Sequence, residues 1–130
     1  MTSQDTAGDG TMACMGSDQV PTVVVADIPV EPAGDGTLFL LDVREPDEWA
    51  AGHIAGAKHI PMGELTGRLD EIPRTARVIA VCRSGNRSGM VTGYLAQGGW
   101  DVYNLAGGMI AWAAGGRPMT SDTPAAPFVL

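Results

Sequence analysis

Positive charge is scarce in this 130-residue chain: eight Lys and Arg stand against fifteen Asp and Glu, for a formal net charge of −7. A surface of that sign argues against nucleic acid or an anionic membrane as the main partner. Cysteine is nearly absent too, with only Cys14 and Cys82. No disulfide framework is expected from two thiols, and a reducing cytoplasm is the compartment that fits. The two histidines, His53 and His59, have no cysteine or carboxylate partners at ligand spacing. They are read as core or hydrogen-bonded residues, and no metal is expected. No apolar run reaches the length of a membrane span. The start, MTSQDTAGDGTMACMGSDQ, has neither a basic n-region nor an apolar h-region, so no signal peptide is expected. What is present is ordinary for a globular domain: 45% hydrophobic and 18% charged residues, in a chain long enough to bury a core without staples.

Residues 1–19 are small and polar and are expected to form a disordered lead-in. A domain is expected over 20–118, with a short tail over 119–130. Within the domain, short apolar runs alternate with helical patterns. Val20–Ala26 is β-branched and strand-like. Leu38–Val43 is a continuous apolar run suited to a strand buried on both faces. Pro46 and the acids after it open a short helix. A strand is predicted over Ala57–Pro61, a helix over Met62–Glu71 and a strand over Arg77–Val81. A helix follows over Arg87–Gln97, where Met90, Val91, Tyr94 and Leu95 recur at helical spacing before Gly98-Gly99. A last strand spans Asp101–Leu105 and a last helix Gly108–Ala114. Five strands alternating with helices predict an α/β fold, a parallel sheet with helices on both faces. Ligands of such sheets bind beyond the carboxyl ends of the strands.

Cys82 stands at one of those ends. It follows Val78-Ile79-Ala80-Val81 and opens Cys82-Arg83-Ser84-Gly85-Asn86-Arg87-Ser88, after which the helical pattern begins. A thiol facing a helix N-terminus and bracketed by Arg83 and Arg87 is placed where its anion is stabilised. The thiolate is the nucleophilic form, and successive loop amides can converge into an anion cradle. Ser84, Gly85 and Asn86 are expected to act through backbone N–H groups and turn geometry. Ser88 could cap the helix or donate to the sulfur. Asp42 and Arg44, at the same sheet edge, are read as a structural salt bridge or loop tie in support of the site. The three tryptophans, Trp49, Trp100 and Trp112, are read as packing anchors, Gly107-Gly108 as a tight turn before the last helix, and Cys14 as an idle thiol, with resolution of a sulfur-loaded Cys82 or a regulatory disulfide with it as the sharper option.

Three stretches carry a family resemblance. Leu41-Asp42-Val43-Arg44-Glu45-Pro46-Asp47-Glu48-Trp49, running into Gly52-His53-Ile54-Ala55-Gly56-Ala57-Lys58-His59-Ile60-Pro61, resembles the first signature of rhodanese domains. Val81-Cys82-Arg83-Ser84-Gly85-Asn86-Arg87-Ser88 resembles their active-site loop, and Asn104-Leu105-Ala106-Gly107-Gly108-Met109-Ile110-Ala111-Trp112 their C-terminal signature. The likeness covers roughly residues 20–118. It implies a single-domain sulfurtransferase with a five-stranded parallel sheet. It also implies that Cys82 takes a sulfane sulfur from a donor such as thiosulfate, becomes a persulfide, and passes the sulfur on. The acceptor would be cyanide, a thiol, or a thioredoxin-like or sulfur-carrier protein. No organic cofactor is implied.

The residues suit that chemistry. Arg83 and Arg87 could hold the oxygens of a dianion by charge-assisted hydrogen bonds, or organise the loop, or pair with nearby acids as surface arginines; thiolate attack on a sulfane sulfur parallels thiol–disulfide exchange. Two alternatives stand beside it. One is a sulfur-relay or regulatory module that binds a protein partner and turns over little small substrate. The other is a cysteine phosphatase or arsenate reductase. Four residues separate Cys82 from Arg87, whereas the phosphatases, by resemblance, place five there to form a wider cradle.

Overall fold

Two five-residue strands, Leu38–Asp42 (β2) and Arg77–Val81 (β4), set the frame, and the alternation of their side chains sorts the core into two layers. Leu41, Val43, Val78, Ala80 and Cys82 face one way, with Leu65 and Ile72, against Val91 and Leu95 of helix α2 (Asn86–Gln97). Leu40, Ile79 and Val81 face the other way, with Ile54, against Met109 and Trp112 of helix α3 (Gly108–Ala114). Every residue from Val78 to Cys82 is at most 1% exposed, which makes β4 the centre of the protein. Burying each such aliphatic side chain contributes about 1.5–3 kcal/mol.

The computed structural model describes residues 20–30 and 37–130; the expected lead-in 1–19, with Cys14, lies outside them. The remaining strands are β1 (Thr22–Val23), β3 (Lys58–His59) and β5 (Val102–Leu105), and helix α1 spans Pro46–Ala51. All strand pairs are parallel, in the order β1-β5-β4-β2-β3, as the alternation of elements predicted. Asp42 sits level with Val81 and Asn104 with Ala80, so the carboxyl ends of β2, β4 and β5 share one edge. Among the described residues no helix is long and apolar enough to cross a membrane.

The departures from the predicted elements have local causes. The strand expected over Val20–Ala26 is only Thr22–Val23, followed by a 3₁₀ turn at Val25–Asp27. The Asp27 carboxylate accepts the Val24 N–H at 3.1 Å, and the Asp27 N–H bonds to the Val24 carbonyl at 2.9 Å. Asp27 thus diverts backbone that would otherwise join the sheet. The strand expected over Ala57–Pro61 shrinks to Lys58–His59, an edge strand with β2 as its one neighbour. The helix expected over Met62–Glu71 is two 3₁₀ segments, Met62–Gly67 and Leu69–Glu71. Gly63 and Gly67 weaken any longer helix there.

Helix α1 is short, and its last carbonyls show how the chain closes around it. The Trp49 carbonyl accepts from His53 Nδ1 at 2.7 Å, and the Gly52 carbonyl from Arg44 Nη2 at 2.8 Å. The Ala50 and Ala51 carbonyls accept the N–H groups of Asp122 and Phe128, at 3.0 and 3.1 Å. The orphan acceptors of a helix end are therefore met by three different parts of the chain. Residues 119–130 form no helix and only a bridge from Thr120 to His53, yet they are docked on this helix end.

Candidate functional site

The chain leaves β4 at Val81 and turns sharply under α3. The Met109 N–H bonds to the Cys82 carbonyl at 2.8 Å and the Ile110 N–H to the Arg83 carbonyl at 3.0 Å. The free donors of the first turn of α3 are thus spent on fixing the loop. This close approach requires Gly108, which has φ +54°; a Cβ there would lie 2.3 Å from the Cys82 carbonyl oxygen. The Gly107-Gly108 pair serves this approach.

With its carbonyls held from behind, the loop turns its donors onto the sulfur. The Gly85 N–H reaches Cys82 Sγ at 3.1 Å and the Ser88 hydroxyl lies 3.2 Å away. Burial pushes the Cys82 thiol up, but the Ser88 hydroxyl and the amides of Ser88, Gly85 and Ser84 outweigh it. The net direction is down, below the ordinary thiol value. Cys82 as a residue is buried, at 1% exposure, so the sulfur sits at the floor of the loop rather than at its surface.

The flanking arginines do not converge on the sulfur. Arg87 grips Glu48 of α1 through two bonds, Nη1 to Oε1 at 2.8 Å and Nη2 to Oε2 at 2.9 Å. This pairing with Arg87 holds the Glu48 carboxyl at about 2, against the opposing effect of its burial. Arg83 is exposed and donates from Nε to the Leu130 carbonyl at 3.1 Å. Among the described residues neither guanidinium is a hydrogen-bond partner of Sγ. Ser84 and Asn86 are exposed on the loop, while Gly85 and Ser88 are buried beneath them.

Asp42 and Arg44 form a buried pair at the end of β2. Arg44 Nε reaches Oδ1 at 2.9 Å and Nη2 reaches Oδ2 at 2.8 Å, with the Arg44 side chain wholly buried. Through the Gly52 carbonyl, Arg44 also ties β2 to the end of α1. His53 and His59 both stack on Trp49, with ring centroids 3.5 and 4.8 Å from it. His59 Nε2 donates to the Arg44 carbonyl at 2.8 Å. Among the described residues no group of His, Cys, Asp and Glu could hold a metal ion.

Three participants carried no signal that the sequence reading used. Glu48 read only as a first-turn acid, although two loop arginines in an acidic chain implied nearby carboxylates. Gly108 read as a plain turn. Asn104 is the third: its Oδ1 lies 2.5 Å from Ser88 Oγ and its Nδ2 donates to the Gly85 carbonyl at 3.0 Å. A polar residue in an otherwise apolar strand that ends beside Cys82 was the available sign.

A thiol with a lowered pKa in a short amide-lined loop at the carboxyl edge of a parallel sheet defines a class, and the comparisons with known proteins agree. The model of the rhodanese-like domain matches residues 30–115, and the chain belongs to that family. A sulfurtransferase of Allochromatium vinosum is 44% identical over 85 residues, covering 65% of this chain and 79% of that protein. YtwF of Bacillus subtilis, named as a candidate sulfurtransferase, is 34% identical over 100 residues, covering 77% of this chain and 97% of that one. Among solved structures, a rhodanese-related protein of Thermoplasma volcanium superimposes with a TM-score of 0.69 at 30% identity, over 77% of this chain and 97% of its own.

Proposed function

We propose that this protein is a sulfurtransferase that carries a sulfane sulfur on Cys82. The supporting observation is the cradle itself: a thiol held below its ordinary pKa by the Gly85 N–H and the Ser88 hydroxyl, at the N-terminus of α2. Such a group is a nucleophile that welcomes negative charge.

With thiosulfate as donor, the Cys82 thiolate attacks the sulfane sulfur. A Cys82–S bond forms, the bond from that sulfur to the sulfite group breaks, and sulfite departs with the electron pair. The outer sulfur of the persulfide stands about 2.05 Å beyond Sγ, toward the mouth of the buried loop, where it is the atom an acceptor meets. Its charge falls among the amides of residues 84–88. Attack by cyanide or a thiolate on the outer sulfur then yields thiocyanate or an acceptor persulfide, and Cys82 leaves as the thiolate. The route is covalent ping-pong catalysis in a reducing compartment. Exposed Arg83 is the cation for the donor oxygens, while Arg87, whose fork is filled by Glu48, holds the loop in shape. The four-residue spacing from Cys82 to Arg87 supports sulfur over phosphoryl substrates.

Intact-mass spectrometry after thiosulfate treatment tests this reading. One added sulfur on the wild-type chain, removed by cyanide and absent from Cys82→Ser, is the expected result. No added sulfur from thiosulfate or from a small persulfide donor refutes the carrier role. Loading without turnover on cyanide points instead to relay toward a protein thiol, and hydrolysis of p-nitrophenyl phosphate to a phosphatase.

A further inference from the structure

One hydroxyl stands between two acceptors in this site. Ser88 Oγ is 3.2 Å from Cys82 Sγ and 2.5 Å from Asn104 Oδ1, and all three residues are at most 3% exposed. A serine hydroxyl has a single proton to give. The orientation of the Asn104 amide follows from its other end, because Nδ2 donates to the Gly85 carbonyl at 3.0 Å. Turned the other way, Oδ1 would face that carbonyl with no proton between two acceptors. In the observed orientation Oδ1 competes with the sulfur for the Ser88 proton, and whenever Oδ1 holds it Ser88 turns only lone pairs to the sulfur.

This arrangement suits a neutral thiol, with S–H donating to Ser88 and Ser88 donating to Asn104. It does not suit an anion. Once the sulfur ionises, turning the Ser88 proton to it leaves Oγ and Oδ1 2.5 Å apart with nothing between them. Buried acceptors so placed are costly. Turning the amide over gives no relief, because Oδ1 would then face the Gly85 carbonyl, so Asn104 and the sulfur compete for one proton.

We propose that Asn104 is a positioning residue for Cys82: its amide oxygen competes with the sulfur for the single Ser88 proton and so sets how much of that donor an anionic sulfur receives. The inference rests on the reading of Cys82 as the nucleophile. It explains why a polar residue stands next to last in β5, beside the loop. The charged groups around the sulfur do not supply this coupling. Arg87 of α2 is closed by Glu48 of α1, Arg83 is turned to Leu130, and Asp42 and Arg44 of β2 are closed on each other.

The test is a pH titration of the Cys82 thiolate by its ultraviolet absorbance, in a Cys14→Ser background so that one thiol reports. No sulfur substrate is present, so failure of sulfur loading and failure of this coupling are separate results. Asn104→Ala frees the Ser88 proton for the sulfur and raises the ionisation constant about tenfold, the worth of one charge-assisted hydrogen bond. Asn104→Leu, which keeps the volume, shifts it in the same direction. In a Ser88→Ala background the same Asn104 substitutions leave the constant unchanged. A constant that falls or stays put on replacing Asn104, or an equal shift with and without the Ser88 hydroxyl, overturns the proposal. In the unaltered chain the side-chain amide signal of Asn104 in a ¹⁵N spectrum must move along the Cys82 titration curve, and a static signal overturns it as well.

Discussion

Replacing Gly108 by alanine tests the contact that holds the loop from behind. Gly108 has φ +54°, and a Cβ at that position would meet the Cys82 carbonyl oxygen at 2.3 Å and the Arg83 carbonyl oxygen at 2.7 Å. The left-handed backbone alone costs an alanine about 1–2 kcal/mol. The clash is with backbone on both sides, so the first turn of α3 must back away from the loop. That movement breaks the bonds from Met109 N–H and Ile110 N–H, at about 1 kcal/mol each. The expected loss is about 3–4 kcal/mol. Gly116 supplies the internal standard: it has φ +71° and no heavy atom within 4 Å of an added Cβ. Gly116→Ala carries the backbone strain without the clash, about 1–2 kcal/mol. Urea unfolding followed by tryptophan fluorescence, with Trp112 and Trp100 both in the core, separates the two. Equal losses for the two variants would refute the argument that α3 presses on the loop. A second readout sharpens it: if the Cys82 carbonyl moves, the sulfur loses its donors, and alkylation of Cys82 at neutral pH slows in Gly108→Ala and not in Gly116→Ala.

The remaining predictions concern the two ion pairs that flank the loop. Glu48 has a folded-state pKa of about 2 against an ordinary value of 4.5. Its contribution to stability is therefore present in full above about pH 4.5 and is lost as the pH falls toward 2. Glu48→Gln should flatten that part of the acid-unfolding curve, and an unchanged acid limb would show that the Arg87–Glu48 pair contributes nothing to folding. Asp42→Asn leaves the wholly buried Arg44 charge without its counter-ion, and the expected loss is about 3–5 kcal/mol in chemical denaturation. A loss under about 1 kcal/mol would mean that water reaches Arg44 and that the pair does not hold β2 to the end of α1.

How far the sequence carried can be argued residue by residue. The central strand and the place of Cys82 at its end were legible because Leu38–Val43 and Arg77–Val81 are short apolar runs without helical period, and a loop of small residues and a helical pattern follow Cys82. The edge strands were overextended because β-branched residues signal a pleated surface wherever they stand. A strand with one neighbour ends where a side chain such as Asp27 offers the backbone another partner. The fates of the arginines were illegible for a different reason. Arg87 finds Glu48 across 39 positions of sequence and Arg83 finds Leu130 across 47. Nothing local marks those pairs; the topology makes them by bringing α1 and the C-terminal segment to the edge where β4 ends. Arginine beside a cysteine reads as a substrate group, a loop organiser or a partner of nearby acids, and in the folded chain the first claim on Arg87 is the Glu48 side chain.

That outcome changes which force prepares the thiolate. The protein carries a net charge of −7, and the nearest fixed cation, Arg87, is matched by Glu48 at contact distance. Arg87 couples to the charge on the sulfur, but with Glu48 beside it that coupling does not lead the support of the anion. What remains are dipoles: the Gly85 and Ser88 donors at about 3 Å and the N-terminus of α2 behind them. Dipoles of that kind act only where they are aimed, so their orientation has to be fixed before the chemistry starts. The surroundings of the loop meet that requirement from two sides. Amides of α3 hold the Cys82 and Arg83 carbonyls, and Asn104 of β5 holds the Gly85 carbonyl. Each peptide unit that turns an N–H toward the sulfur thus has neighbours tied down at the opposite pole. Burial, which alone would disfavour the charge, keeps those few donors unscreened by salt and free of competition from water.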